Sequence, residues 1–183
     1  MEVVLGVVAF ILIVYFLIYN SLVAKKNAVE HAFSSIDVQL KQRFDLLPNL
    51  VETVKQFMGH EKSVLEGVTK LRTQAQNSTT ADQKIGVSNE LSKLAGQIMV
   101  ISENYPDLKS NTNFLQLQQV MNETESQIAA ARRAFNAAVI DLNNAIEMFP
   151  TSLIAGTMKL QRRSVLATEE GERKNPQMKE LFK

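Results

Sequence analysis

Cysteine and tryptophan are absent from this chain of 183 residues, and it has two histidines, four prolines and seven glycines. Without cysteine there is no disulfide, no thiolate nucleophile and no Cys-based zinc site. The histidines are His31 and His60. His60-Glu61-Lys62-Ser63-Val64 opens like a zinc-protease helix, but Val64 stands where the second His is needed. No Glu-x-x-His pair occurs, so a di-iron bundle site lacks its ligands. A phosphate loop, a G-x-S-x-G elbow and a dinucleotide fingerprint are all missing. No enzyme and no cofactor is therefore expected. An excess of one charge is missing too: 20 basic side chains stand against 19 acidic ones, interspersed. A nucleic-acid binder would show a basic stripe, so no nucleic-acid partner is expected. Alternation with a period of two is absent, and the sparse Gly and Pro fall mainly at element boundaries. What remains is a helical composition of Gln, Asn, Ala, Glu, Lys and Leu.

The long feature is an apolar run. Val3 to Tyr19 is uninterrupted, and Leu22 to Ala24 extend it past Asn20 and Ser21. At ~1.5 Å per residue, ~22 helical residues cross a hydrocarbon core of ~30 Å. A helix is the one single segment that satisfies its own backbone there. A cleaved signal peptide would carry a positive start and a small-x-small site. Here Glu2 is the only charged side chain before the run, and Leu22-Val23-Ala24 sets a bulky Leu at the cleavage position. The run reads as a retained transmembrane anchor over residues 1–24, with the lipid bilayer as partner. Tyr15 and Tyr19 suit an interfacial belt. Lys25 and Lys26 follow the run and no Lys or Arg precedes it, which places the N-terminus outside and residues 25–183 in the cytoplasm. Asn77-Ser78-Thr79 and Asn122-Glu123-Thr124 match the glycosylation pattern by chance.

Past the anchor the apolar spacing is regular. From Phe114 it steps by three and four through Leu117, Met121, Thr124, Ile128, Ala131, Phe135, Ala138, Leu142, Ile146 and Phe149. Such a heptad beat implies shallow-angle, coiled-coil-like packing. Val29, Phe33, Ile36, Leu40, Leu47, Val51, Val54, Met58, Leu65, Val68 and Leu71 form an earlier stripe. Val87, Leu91, Leu94, Ile98, Ile101 and Tyr105 form a shorter third one. Asn77 to Thr80 is a polar turn, with Thr80 and Gln83 as a capping box. Pro106 stops the third stripe, Ser110 or Asn111 caps the next helix, and Phe149-Pro150 ends it. Pro48 lies inside the first stripe and kinks or breaks it.

The expected fold is all-α: a single N-terminal transmembrane helix, then an antiparallel long-helix bundle of three or four helices. The helices are placed near 21–46, 48–76, 81–104 and 111–148. The bundle domain spans 25–150 and a charged C-terminal tail 151–183. Within that tail, residues 152–156 suit a short turn against the bundle end, and Lys159, Arg162 and Arg163 form a small basic cluster, read as part of a solvated tail rather than as a contact with anionic lipid. The helix at 81–104 spans ~36 Å and that at 111–148 ~57 Å, so one cannot cover the other. The helix before Pro48, the tail or a second copy must meet the surplus stripe, and a parallel homo-oligomer is the expectation.

Asp37, Arg43, Glu125 and Arg132 lie on or beside the stripes. They read as partly buried ion pairs that fix helix register; converging in an open pocket, they would instead suggest a hydrolase. Asn49, Asn104, Asn113, Asn136 and Asn143 recur near stripes and ends, although Asn is a mediocre helix former. Asn136 and Asn143 are seven apart, hence on one face, placed to hydrogen-bond across helices or to a partner.

Several pieces, in order, resemble the LemA family of bacterial membrane proteins. They are Tyr19 to Val23; Ile36 to Arg43, followed by Leu47-Pro48-Asn49-Leu50-Val51; His60-Glu61-Lys62; Glu103 to Lys109, including Tyr105-Pro106; Asn113-Phe114; Thr124-Glu125; Ile128 to Asn136, including Arg132; and Phe149-Pro150. The likeness runs from the anchor to about Gly156. Phe135-Asn136 replaces the usual Tyr-Asn, and the tail is longer and more charged than the family's short aromatic end, of which Phe182 is the remnant. The resemblance implies an anchored helical bundle in the bacterial inner membrane, N-terminus out. It brings no reaction, cofactor or catalytic residue. The functional expectation is a non-enzymatic, self-associating membrane scaffold or adaptor. The alternative is an accessory that modulates another membrane protein, a protease or sensor, in envelope stress or signalling. Either has a protein client.

Overall fold

The computed structural model describes residues 1–58, 60–79 and 81–166. These residues form seven helices and no strand: α1 (Glu2–Asp45), α2 (Leu47–Phe57), α3 (Lys62–Asn77), α4 (Ala81–Ser102), α5 (Pro106–Lys109), α6 (Thr112–Glu147) and α7 (Thr151–Thr157). The all-α bundle with an N-terminal apolar helix is as the sequence implies. The apolar run and the first amphipathic stripe share α1, which is 44 residues long and has no linker between them.

Pro48 answers the question it posed. Leu46 N–H bonds back to the Arg43 carbonyl at 3.2 Å, and α2 then starts, with Leu50 N–H reaching the Leu46 carbonyl at 3.1 Å. Pro48 therefore sits in a first helical turn, where a missing N–H costs nothing. The single helix expected over 48–76 is corrected to two. The chain turns between Phe57 and Lys62, with Glu61 N–H on the Met58 carbonyl at 2.9 Å. The sequence has Gly59 at that point, a poor helix residue, and fully buried Met58 pins the turn to the core. The short α5 was not expected; Pro106 occupies its first position. Asn111 proves to be the cap of α6, its Oδ1 accepting Phe114 N–H at 3.0 Å. Thr80, Val54's side chain and the tail residues Met178, Leu181 and Phe182 lie outside the described residues. Gln83 Oε1 accepts Thr79 N–H at 3.1 Å ahead of α4.

Two compact units result. The unit His31–Arg132 holds the large core. Leu47, Val51, Met58, Val68, Leu71, Leu91, Ile98, Leu108, Phe114 and Met121 bury together, with α2 packed on α3 and α3 on α4. The unit formed by Met1–Glu30 and the described residues from Arg133 onward has a small core. There Leu22 meets Ala145 of α6 and Ile154 and Ala155 of α7, flanked by Ile18, Ile146, Met158 and Leu160. A cis Phe149–Pro150 bond joins α6 to α7. Along α6 the heptad positions Phe114, Leu117, Met121, Thr124, Ile128, Phe135 and Leu142 are all buried by the chain itself. The surplus stripe is met by α1, α7 and the start of the tail.

Candidate functional site

In the His31–Arg132 unit, burial of an ionised side chain marks the most demanding polar site. Arg43 on α1 is 2% exposed. Its guanidinium donates to Ser88 Oγ and Ser92 Oγ, both at 2.8 Å, and to Glu125 Oε2 at 3.3 Å. Ser88 and Ser92 are one turn apart on α4, and Glu125 is on α6, so one side chain ties three helices. A buried charge is tolerated only when paired and hydrogen-bonded. The hydroxyls serve as acceptors, and Ser92 passes its own proton to the Ser88 carbonyl at 3.2 Å. A guanidinium stays protonated and activates no nucleophile. Asp37 is held by Lys84, also between α1 and α4. Arg132 is partly buried seven residues beyond Glu125. Asp37, Lys84, Arg43 and Glu125 are thus joints between helices. Ser88 and Ser92 carried no signal in the sequence, since isolated serines in a helix are common.

Near the α4–α5 turn, Tyr105 donates its phenol to Glu61 Oε1 at 2.9 Å. That bond, then desolvation, then the Glu61 charge raise the Tyr105 pKa above its ordinary value. Asn49 and Asn113 share a shallow cleft with Glu52 and Gln116.

Asn136 and Asn143 find the partner their spacing demanded. Asn143 Nδ2 donates to the Arg163 carbonyl at 2.8 Å, while Arg163 N–H returns to Asn143 Oδ1 at 3.0 Å. Asn136 repeats this with Leu166, at 3.1 and 2.8 Å. Seven residues of helix advance ~10.5 Å, and three extended residues advance ~9–10 Å, so the two periods match. The amides read backbone only. Side chains add Arg162 to Glu147 at 2.8 Å and Arg163 to Glu30. The segment is turned back by Lys159, at φ 52°. Lys159 N–H bonds to the Gly156 carbonyl and Leu160 N–H to the Ala155 carbonyl, both at 3.1 Å, which closes α7 with a Schellman cap.

One groove has the lining of a binding surface. It lies between α4 and α6, has a volume of about 270 Å³, and is floored by Leu50, Ile98, Phe114, Leu117 and Met121. Ala95 and Gly96 form a low wall, and Gln118, Asn122 and Glu125 a polar rim. A Cβ placed on Gly96 would meet nothing within 4 Å. The sequence hid this groove because its floor belongs to the core stripes. Among the described residues no group of three or more metal-ligating side chains forms.

The model of the LemA family matches residues 32–179. Protein LemA of Metamycoplasma hominis is 24% identical over 163 residues, 88% of this chain and 74% of that protein. Magnetosome proteins MamQ 1 and MamQ 2 of Paramagnetospirillum magneticum are each 23% identical over 178 residues, 83% of this chain. The chain spans 65% of the length of those two. None of these names carries a reaction or a substrate. The family match covers most of the chain, and on it the chain belongs to the LemA family.

Proposed function

We propose that the chain is a membrane-anchored, non-enzymatic helical adaptor of the bacterial inner membrane, with its N-terminus outside and its bundle in the cytoplasm. One observation carries this reading. On the uninterrupted α1, large apolar side chains such as Val3, Phe10, Leu12 and Leu17 are exposed, whereas Leu22, Val29, Ile36 and Leu40 are buried. Water does not tolerate so large a bare apolar surface, and a bilayer does. Lys25 and Lys26 at the exit support the orientation. Arg43, Ser88, Ser92 and Glu125 are engaged in a joint between helices, and the α4–α6 groove is the surface suited to a protein client.

Self-association was expected from a bare heptad stripe. The heptad residues Phe114, Leu117, Met121, Thr124, Ile128, Phe135 and Leu142 are buried within one chain, which favours a different protein over a second copy as the client. The test is a photo-crosslinker at Gln118 on the groove rim, in the full-length chain in native membranes. The expected result is a discrete adduct with another protein, lost in Gly96→Phe, whose ring fills the groove. An adduct only with a second copy, or one indifferent to Gly96→Phe, contradicts the adaptor reading at this surface. If the adduct is a membrane protease or sensor, the accessory-modulator reading prevails. A reporter active only in the cytoplasm, fused after Lys183, checks orientation; silence there with activity from an exported reporter reverses it.

A further inference from the structure

The corner where α6 passes into α7 exposes three large apolar side chains together: Met148 (63% exposed), Phe149 (80%) and Leu153 (66%). Scattered exposed apolar residues are ordinary, but Met148 and Phe149 lie between the two helices and Leu153 in the first turn of α7, and the corner's height is fixed by packing. Ile154 and Ala155, next to Leu153, pack on Leu22 and Ile18 of α1, and Ala145 packs there as well. Ile18 belongs to the apolar run and Leu22 to its extension. Counting from Val3 at ~1.5 Å per residue, a hydrocarbon core of ~30 Å ends near Leu22. The α7 contacts therefore stand level with the last turn of the anchor. Asn143 on α6 brackets Arg163, which pairs with Glu30, whereas Ala145 two residues on already meets Leu22. α6 thus carries its C-terminal end toward the apolar run, and Phe149 lies beyond Ala145 in that direction. Lys25 and Lys26 follow Leu22 on α1 and Lys159 follows α7, each suited to anionic headgroups.

We infer that the Met148–Phe149–Leu153 corner is a second membrane contact, which dips into the leaflet at the exit of the anchor. The inference rests on reading α1 as a transmembrane helix. The occupant is lipid, because α7, which carries Leu153, shares a cluster with Ile18 of the apolar run, and lysines follow both segments in the chain. It holds the membrane-proximal unit against the bilayer at two points, as an interfacial apolar face does.

The chain has no tryptophan, so one introduced indole reports alone. Phe149→Trp at the corner, Leu12→Trp in mid-anchor and Val38→Trp on the exposed face of α1 are each made in the full-length chain. Each is reconstituted in vesicles of zwitterionic and anionic lipid carrying bromine on the acyl chains. The indole of Phe149→Trp is expected to emit blue of a water-exposed indole and to lose most of its emission to bromine near the headgroup. That of Val38→Trp is expected to be unaffected. Red emission from Phe149→Trp, quenched by aqueous iodide and untouched by bromine, overturns the inference. So does shielding from both quenchers, which means a protein covers the corner. In those outcomes strong bromine quenching of Leu12→Trp leaves the anchor standing. No quenching of Leu12→Trp removes the anchor and the inference with it.

Discussion

The two compact units are each stabilised by different physics. The His31–Arg132 unit buries a continuous apolar cluster drawn from α2 to α6, and one charged node locks its helices. The unit of Met1–Glu30 and the described residues from Arg133 onward has a smaller core, in which Leu22, Ala145, Ile154 and Ala155 cluster and Val29, Phe135, Val139 and Leu142 are also buried. It relies on four amide hydrogen bonds from Asn136 and Asn143 and on a helix cap made by a lysine. Apolar area scales with stability at about 25 cal/mol per Å², so the first unit is stabilised by volume and the second by geometry.

The sharpest way to break this contrast is to cut a cavity in the larger core. Leu91 is 1% exposed, and Leu91→Ala is expected to cost about 2–5 kcal/mol, read as a lowered urea midpoint of the full chain in detergent. A loss under about 1 kcal/mol would mean the core collapses around the gap. Next in size, Asn143→Ala removes both bonds to Arg163 and is expected to cost about 1–3 kcal/mol. Its signature is local: deuterium uptake rises across residues 160–166, while the α3–α4 amides keep their protection. Uptake spread over both units would refute the separation.

Two glycines sharpen the comparison within one unit. Gly96 has open space at its Cβ position, whereas a Cβ on Gly67 would sit 3.2 Å from Leu94 Cδ1. Gly96→Ala is expected to stabilise by about 0.4–1 kcal/mol through the unfolded chain. Gly67→Ala is expected to gain less or to destabilise, because buried Leu94 must yield. Equal gains in thermal midpoint would show that Leu94 has room.

The smallest effect is a pH dependence. Tyr105 titrates above its ordinary value of 10.0 because it donates to Glu61. A raised pKa means that its contribution is fully present below about pH 10 and lost as pH rises through the folded-state value. The stability difference between the chain and Tyr105→Phe should be constant at neutral pH and shrink in strong alkali. A difference that grows with pH would show that the phenol is not donating.

The N-terminal apolar helix, the heptad beat of α6 and the Pro48 boundary were legible because each rests on local chemistry: apolar length, period and a missing N–H. The turn before Lys62 was not, since the stripe continues through Met58 on one side and Val68 on the other, and the period alone does not show a change of direction. Arg43 could be read as an ion pair, but not its serine partners on α4. The Asn136–Asn143 pair could be read as a face awaiting acceptors. Which backbone would fill it depended on a fold-back set by Lys159, a residue with no turn signature. The α4–α6 groove was hidden for a related reason: periodicity says which side is apolar, not how much of it neighbours cover.

The central claim is that one chain covers its own α6 stripe from Phe114 to Leu142, leaving the N-terminal apolar helix and the α4–α6 groove as its outward surfaces. Hydrogen exchange along α6, followed on the full-length chain in detergent while the protein is diluted, tests this most directly. The account predicts protection from Phe114 through Leu142 that does not change with concentration. Protection that falls on dilution would mean a second copy covers the stripe, and would contradict it.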